Sequence, residues 1–211
     1  MNRKVIIILT GCFFITTLLT DAQEKSKSAY AGKEAKITDE IDLKDEDIEL
    51  FKEHTRQKVD EFQQHIVTIG DKSQPAEKRD MAEREALKLF YTGAEMETST
   101  IMPDGSVKIT SRPMEKYLSR LKALPYTQVV IEFYDIAYVR EFTKGPDGRY
   151  YSTATIFQKF TGFDGDNIMY TDITQKEIEI ILELVEDKFF NEKRWVILLG
   201  NIKATETKES A

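Results

Sequence analysis

The sequence is poor in cysteine, tryptophan and histidine. Its 211 residues include one cysteine, Cys12, one tryptophan and two histidines. Cys12 lies in an N-terminal apolar stretch, so the chain that follows this stretch contains no thiol. Disulfide bonds, thiolate metal sites and thiol nucleophiles are therefore excluded from residues 13–211. A domain formed by this chain must be stabilised by the packing of its core.

The two histidines do not predict a metal site. His54 and His65 are eleven residues apart on one predicted helix. A helix rises about 1.5 Å per residue, which places the two side chains ~16 Å apart, too far for one ion. Polar neighbours such as Glu53 and Gln64 indicate that both histidines face solvent. We therefore expect no metal ligands and no cofactor-binding residues.

Runs of basic residues are also missing. The formal net charge is −7 at neutral pH, and lysine and arginine are interleaved with acidic residues throughout the chain. An acidic chain of this kind repels nucleic acid and anionic membrane surfaces. Polyanion binding is therefore excluded as a function class, and no nucleic-acid partner is expected.

The N-terminus has the pattern of a bacterial secretory signal peptide. Residues 2–4 make a basic start, residues 5–19 are almost entirely apolar, and Ala22 is a small residue at a plausible cleavage point. The apolar run is shorter than the ~20 residues that a membrane-spanning helix needs. We therefore predict a signal peptide at residues 1–22, export to the periplasm, and no membrane span after its removal.

Lipid attachment is the alternative for the same segment. The stretch Leu9-Thr10-Gly11-Cys12 is similar to a lipoprotein cleavage box, which would anchor the protein through Cys12. Cleavage there would leave the apolar residues 13–19 at the mature N-terminus, whereas a signal peptide has a single apolar core. Cleavage after Ala22 is the favoured prediction.

Composition divides the rest of the chain into three segments. Residues 23–42 are rich in lysine, serine, alanine and glutamate, and they are predicted to be a flexible tether because they can bury too little apolar surface to fold. Residues 43–206 have the size of one domain with a single core. Residues 207–211 are predicted to be a polar tail.

Hydrophobic periodicity predicts three helices in the first half of the domain. Apolar residues recur at steps of three and four over residues 44–69, which indicates one helix. A second helix is predicted to begin at Pro75 and to end near Gly93. A third begins at Pro113 and ends before Pro125, where proline prevents its continuation.

Strands are predicted around and after the third helix. Residues 95–102 and 107–111 flank a turn signal and predict a hairpin. Four long β-prone segments end the domain, at residues 129–142, 150–163, 169–185 and 195–205. Short connections between long strands indicate antiparallel pairing. Helices gathered against an antiparallel sheet define the predicted fold class, α+β.

The element order resembles that of the nuclear transport factor 2-like (cystatin-like) superfamily. The likeness covers about residues 43–206, and its best local support is the helix at 113–121 that leads into the strand at 129–133, with the closing stretch 194–199. The resemblance implies a cone in which a curved antiparallel sheet wraps around three N-terminal helices. The signal peptide and tether look like those of exported Bacteroidetes-type members, many of which have no known activity.

The resemblance also implies the place of a ligand pocket. Enzymes of the superfamily, such as ketosteroid isomerase and scytalone dehydratase, hold an acid or a histidine and tyrosines inside the cone. The analogous residues in this chain are Tyr91, Tyr117 and Asp135. Asp135 interrupts an apolar set of its strand, where a carboxylate would have the raised pKa that a general base requires. The alternative for Asp135 is a local hydrogen bond or an outward orientation at a strand bend.

Further tyrosines in the strand half of the chain allow two interpretations. They are consistent with an aromatic surface that binds a ligand or a glycan, and equally with the preference of tyrosine for strands. These tyrosines are Tyr126, Tyr134, Tyr138, Tyr150, Tyr151 and Tyr170.

Two predicted strands are apolar on both faces. In residues 129–139 and 195–202, both alternating sets of side chains are mainly apolar. A strand buried on both faces needs a cover on each. We therefore predict a homodimer through the sheet, with an outward set of Val130, Tyr134, Ile136 and Tyr138.

These patterns favour an exported periplasmic binding or assembly module without established catalysis. The alternative is a small-molecule lyase or isomerase that acts in the cone. A closed apolar cavity that contains Asp135 or a tyrosine would favour the enzyme, whereas a cone filled by Phe62, Phe90, Leu118 and Phe157 would favour the module. Besides a second copy, the expected partner is another periplasmic protein or a small apolar ligand.

Overall fold

The computed structural model describes residues 43, 45–187 and 192–209, without the side chains of residues 45, 135–138, 187 and 209. The predictions for the signal peptide at 1–22, for Cys12 and for the tether at 23–42 fall outside the described residues. The compact unit that contains the described residues is Leu43–Ala211.

Among the described residues, three helices precede the long strands. α1 spans Asp45–Gly70, α2 spans Ala76–Lys88 and α3 spans Met114–Lys122. Pro75 and Pro113 stand immediately before α2 and α3, where a residue without a backbone N–H removes no helical hydrogen bond. All three predicted helices are present.

In the described part of the chain, seven strands form one sheet. Their bounds are β1 Glu95–Ile101, β2 Val107–Pro113, β3 Gln128–Val139, β4 Thr143–Lys144, β5 Tyr150–Asp164, β6 Asn167–Asp187 and β7 Glu192–Glu209. The order is β2-β1-β7-β6-β5-β3, with β4 beside β5. All neighbours are antiparallel except β1 and β7. The prediction of an α+β fold is confirmed: a large, curved, unclosed sheet carries few helices.

The core lies between the helices and one face of the sheet, which is called the core face below. Phe62 of α1 is fully buried there, as are Ile178 and Ile180 of β6. Glu177 and Glu179 alternate with these isoleucines and lie half-buried on the opposite, outer face. Burying a large aliphatic or aromatic side chain contributes about 1.5–3 kcal/mol, so this alternation fixes which face meets the helices.

β1 and β7 meet in a seam with little backbone pairing. Met96 and Ile202 are the one pair of residues in parallel register between the two strands. Side chains supply further hydrogen bonds across the seam. The carbonyl oxygen of the Asn201 side chain accepts from the Glu95 N–H at 2.9 Å, and Oε2 of Glu97 accepts from the Ala204 N–H at 3.0 Å.

β7 runs further than the sequence predicts. Residues 207–211 are expected to form a polar tail, yet Thr207 and Lys208 pair with Thr174 and Ile173 of β6. β6 is long, and its polar N-terminal half would otherwise keep unpaired backbone groups along this edge. The threonines suit a strand although they are polar, and an apolar pattern cannot reveal a strand of this kind.

The structure differs from the sequence analysis in two further places. α2 stops at Lys88, ahead of Gly93, because backbone hydrogen bonds connect Leu89 and Tyr91 with Leu199 of β7. Phe157 does not help to fill the core, unlike Phe62, Phe90 and Leu118, which are buried in it. Phe157 lies on the outer face of β5 and stacks on Tyr134, with ring centres 6.3 Å apart.

Candidate ligand pocket

A pocket of about 370 Å³ opens between α3, the β1–β2 hairpin and the core face of β5 and β6. This volume lies at the lower end of the ~300–1,000 Å³ that small-molecule sites occupy. The pocket is not the closed apolar cavity that the sequence analysis considered. Apolar side chains line part of it, and hydroxyl, amide, guanidinium, ammonium and carboxylate groups line the rest.

Three polar residues of β6 lie at the base of the pocket. Asp172, Thr174 and Lys176 alternate along the core face and are 4%, 1% and 2% exposed. They continue the row that Ile178 and Ile180 form deeper in the core. The core face of β6 therefore changes from apolar to polar where the strand reaches the pocket.

Lys176 is a buried cation at this base. Its Nζ donates to the backbone carbonyl oxygen of Glu97 at 2.7 Å and lies 3.6 Å from Sδ of Met96. Burial lowers the pKa of Lys176 to about 8, although the carboxylates of Asp172 and Glu97 act in the opposite direction. The side chain is therefore charged at neutral pH and close to its titration range.

Asp172 lies in a network of hydroxyl groups. Burial raises the pKa of its carboxyl group, while hydrogen bonds from Tyr170 and Thr174 and the charge of Lys176 oppose that rise. Thr174 donates to Oδ1 of Asp172 at 3.3 Å. The hydroxyls of Ser99 and Thr174 are 3.0 Å apart, which connects the network with β1.

Two phenol groups lie at the same pocket, and Tyr170 is hydrogen-bonded to Asp172. Burial raises the pKa of Tyr117, with a smaller contribution from the negative charge of Asp172. Burial also raises the pKa of Tyr170, and its hydrogen bond to Asp172 adds to the rise. Both phenols are therefore protonated at neutral pH and act as hydrogen-bonding groups.

An aromatic wall forms one side of the pocket. The ring centres of Tyr126 and Phe160 are 6.0 Å apart, and those of Phe160 and Tyr170 are also 6.0 Å apart. Leu121 and Leu124, from α3 and the turn after it, contribute apolar surface to the same pocket. A bound molecule would therefore meet aromatic rings as well as polar groups.

Gln158 presents a buried acceptor to the pocket. Its side chain is 7% exposed, and Gln158 lies opposite Thr174 in the ladder between β5 and β6. Oε1 of Gln158 has no hydrogen-bond partner among the described residues. An unsatisfied buried acceptor costs about 1–3 kcal/mol, which a donor group of a ligand would offset.

Two arginines stand at the pocket without an acidic partner. Nη1 of Arg112, on β2, donates to Oγ1 of Thr98 at 3.2 Å, and Arg120 lies on α3. Within residues 45–187 and 192–209, neither guanidinium group forms an ion pair. By contrast, Arg149 pairs with both Asp147 and Glu183 on the outer side of the sheet.

The three residues predicted for the pocket have different positions. Tyr117 lines the pocket from α3 and is buried. Tyr91 is 37% exposed and lies elsewhere, with its ring 5.3 Å from the guanidinium carbon of Arg149. Asp135 belongs to β3 next to an irregularity in its pairing with β5, and its side chain is outside the described part.

Sequence reasoning missed Asp172, Lys176 and Gln158. Asp172, Thr174 and Lys176 are polar, and the residues between them are Ile173 and Gln175, so neither alternating set is consistently apolar. Hydropathy therefore does not show which face of β6 meets the core here. Parity does mark it, because counting back in steps of two from Ile178 leads to Lys176, Thr174 and Asp172.

Two kinds of feature are absent from the described part of the chain. No group of three or more His, Cys, Asp or Glu side chains is placed there to hold a metal ion. None of its helices has the length and apolar content needed to cross a bilayer. Comparison of the chain with protein-family models, curated proteins and solved structures finds no match.

Proposed function

We propose that the protein is an exported binding module of the nuclear transport factor 2-like type, which holds a small molecule in the pocket beside α3. The observation that carries this proposal is the buried Oε1 of Gln158, which has no partner among residues 45–187 and 192–209, in a pocket with the partly desolvated Asp172 and Lys176. Polar groups are costly to bury, and a pocket that retains them without full pairing has the character of a binding site.

Two features support the rest of the proposal. The element order of two helices, a hairpin, a third helix and long strands agrees with the superfamily pattern, and the helices pack on one face of a curved sheet. Export depends on the signal-peptide pattern at residues 1–22, with lipid attachment at Cys12 as the alternative. N-terminal sequencing of the exported protein distinguishes Ala22 cleavage from a lipidated Cys12.

Native mass spectrometry tests the binding function directly. Protein isolated from the periplasm of its own host is expected to carry an additional small mass that denaturation releases. Gln158→Leu should reduce the occupied fraction, because it removes the acceptor in the pocket. Gln175→Leu is the matched control, since Gln175 lies on the outer face of the neighbouring strand. Unliganded protein from this source would contradict the proposal.

Acid–base catalysis in the same pocket is the second candidate function. It is favoured by the position of the Asp172 carboxyl group, which accepts a hydrogen bond from Tyr170 and acts electrostatically on Tyr117. A partly desolvated carboxyl beside phenols can transfer a proton to or from a bound substrate, as a lyase or isomerase requires. If the protein is an enzyme, the candidate general base is Asp172 and not Asp135.

Incubation of the released molecule with excess protein separates the two functions. A binding module returns the molecule unchanged. An enzyme converts it to a product, and Asp172→Asn should slow that conversion at least 100-fold, within the usual range for loss of a general base. Asp164→Asn, at the exposed C-terminal end of β5, is the control.

A further inference from the structure

The lining of the pocket combines three features, which are cationic side chains, hydrogen-bond acceptors and an aromatic wall. Three of its charged residues are cationic, Arg112, Arg120 and Lys176, and one, Asp172, is anionic. This balance is opposite to that of the whole chain, whose net charge is −7. Since neither arginine has an ion-pair partner in the described part, the pocket favours a ligand that carries a negative charge.

Acceptor groups in the same pocket require hydrogen-bond donors from the ligand. Within the part of the chain that the structure describes, Oε1 of Gln158 has no partner, and the carboxyl group of Asp172 is an acceptor when ionised. Gln158 lies opposite Thr174, two residues along β6 from Asp172. Diagonal neighbours of this kind are ~7–8 Å apart in a sheet, close enough for two hydroxyl groups of one small molecule.

The aromatic wall gives the ligand a third kind of contact. Tyr126, Phe160 and Tyr170 form a continuous row of rings. The faces of aromatic rings carry partial negative charge, which attracts the slightly positive C–H groups of a saturated ring. A ligand that fits this wall has a C–H face in addition to its hydroxyl groups.

From these three features we infer that the ligand is a polyhydroxylated carboxylate of sugar-acid type. Its carboxylate would meet Arg112 and Arg120, its hydroxyls would donate to Gln158 and Asp172, and its ring would lie on the aromatic wall. The inference rests on the proposed binding function. A neutral sugar would leave the arginines unpaired, and a simple fatty acid would leave Gln158 unsatisfied.

Isothermal titration calorimetry with three model compounds tests the inference on the mature protein. D-glucuronate has the carboxylate and the hydroxyls, D-glucose lacks the carboxylate, and hexanoate lacks the hydroxyls. D-glucuronate is expected to bind at least tenfold more tightly than either of the others. Equal binding of glucose would overturn the role of the arginines, and equal binding of hexanoate would overturn the role of the acceptors.

Arginine variants test whether these side chains bind the carboxylate of the ligand. Arg112→Gln and Arg120→Gln should each reduce the affinity for D-glucuronate towards that for glucose. Arg140→Gln is the matched control, because Arg140 is an exposed residue that pairs with Glu177. Arg120 is itself exposed, so its variant remains informative if Arg112→Gln lowers the melting temperature.

The experiments distinguish failure of the sugar-acid inference from failure of the proposed binding function. If none of the three compounds binds, the sugar-acid inference is wrong. If native mass spectrometry still detects a bound molecule that Gln158→Leu displaces, the pocket binds a different class of compound and the proposed function stands. An unliganded native protein would contradict the proposed function itself.

Discussion

Phe62 lies at the centre of the core contacts made by α1. It is fully buried, its ring meets Phe90 edge to face at 4.9 Å between centres, and Phe133 lies 6.1 Å away. Phe62→Ala should reduce the free energy of unfolding by about 3–5 kcal/mol, because it removes a buried ring and leaves a cavity.

Urea unfolding of both variants measures this loss against a control on the same helix. His65→Ala should cost little, since the His65 side chain is partly exposed and 4.0 Å from Glu61. Similar losses for Phe62→Ala and His65→Ala would show that α1 packs through a different face.

Lys176 connects the stability of the protein with pH. Its pKa in the folded protein is about 8, below the ordinary value of 10.5, so between these values the unfolded chain binds more protons. The free energy of unfolding therefore rises with pH across this window, and the cost of burying the ammonium group is greatest below pH 8.

Lys176→Met provides the comparison for this pH effect. Between pH 7.5 and 9.5, assay values chosen to span most of the window, the wild type should gain roughly 1–2 kcal/mol of stability relative to the variant. Denaturant unfolding at both pH values measures the difference. A difference that does not change with pH would mean that Lys176 titrates in its ordinary range.

The sequence could identify Tyr117 for the pocket but not the residues at its base. Tyr117 shares a helical stripe with Leu118 and Leu121, so its inward position follows from periodicity. Asp172 and Lys176 occupy inward positions of a strand that is polar on both faces in this part. Counting in steps of two from Ile178 gives their inward orientation, but their burial depends on α3 and on β1, which are distant in sequence.

The end of β7 is an element whose role depends on pairing. Thr207 lies opposite Thr174, with 3.3 Å between the two hydroxyl oxygens, next to the base of the pocket. Deleting residues 207–211 should lower the melting temperature by several degrees, because it removes backbone hydrogen bonds and exposes this edge of β6.

Differential scanning calorimetry of two truncated proteins checks the role of this strand end. Deletion of residues 210–211 alone is the control and should leave the melting temperature unchanged, because β7 ends at Glu209. If the longer deletion also has no effect, the segment behaves as the polar tail that composition predicts.

Most elements follow from patterns that act over short distances. The stripe of α1 and the alternation of Ile178 and Ile180 with glutamates predict both elements and their buried faces. β4 has two residues, Thr143 and Lys144, and is too short to produce a period. The outward position of Phe157 cannot be predicted from β5 alone, because both alternating sets of this strand contain large or β-branched residues. The inward set is decided by pairing with β3 and β6.

The homodimer prediction concerns the outer face of the sheet. Tyr134 is 41% exposed and stacks on Phe157, and these two rings form an aromatic patch on this face. Static light scattering at micromolar concentration should give twice the mass of the mature chain if a second copy covers the patch.

Tyr134→Glu is the variant that connects the mass with this surface. A charge at the centre of an apolar contact should convert the dimer to a monomer, whereas Thr127→Glu, at an exposed position ahead of β3, should not. A wild-type monomer, or a dimer that Tyr134→Glu leaves intact, would show that the patch is not the interface.

The seam between β1 and β7 separates the two halves of the pocket. Arg112 and Thr98 belong to the hairpin on one side, while Asp172 and Gln158 belong to the strands on the other. The connection between the halves relies on side-chain hydrogen bonds, including the one from Lys176 to Glu97. Such bonds are easier to break locally than a continuous ladder.

Amide hydrogen exchange should therefore differ between two parts of the sheet, one of which opens locally more often. We expect backbone amides of β1 and β2 to exchange faster than those paired between β5 and β6, with mass spectrometry of peptides as the measurement. Equal protection of both regions would contradict this expectation. A bound molecule that contacts Arg112 and Asp172 together would hold the two sides of the seam in place. Occupancy of the pocket would therefore slow amide exchange in the β1–β2 hairpin, although the hairpin's own hydrogen bonds had not changed.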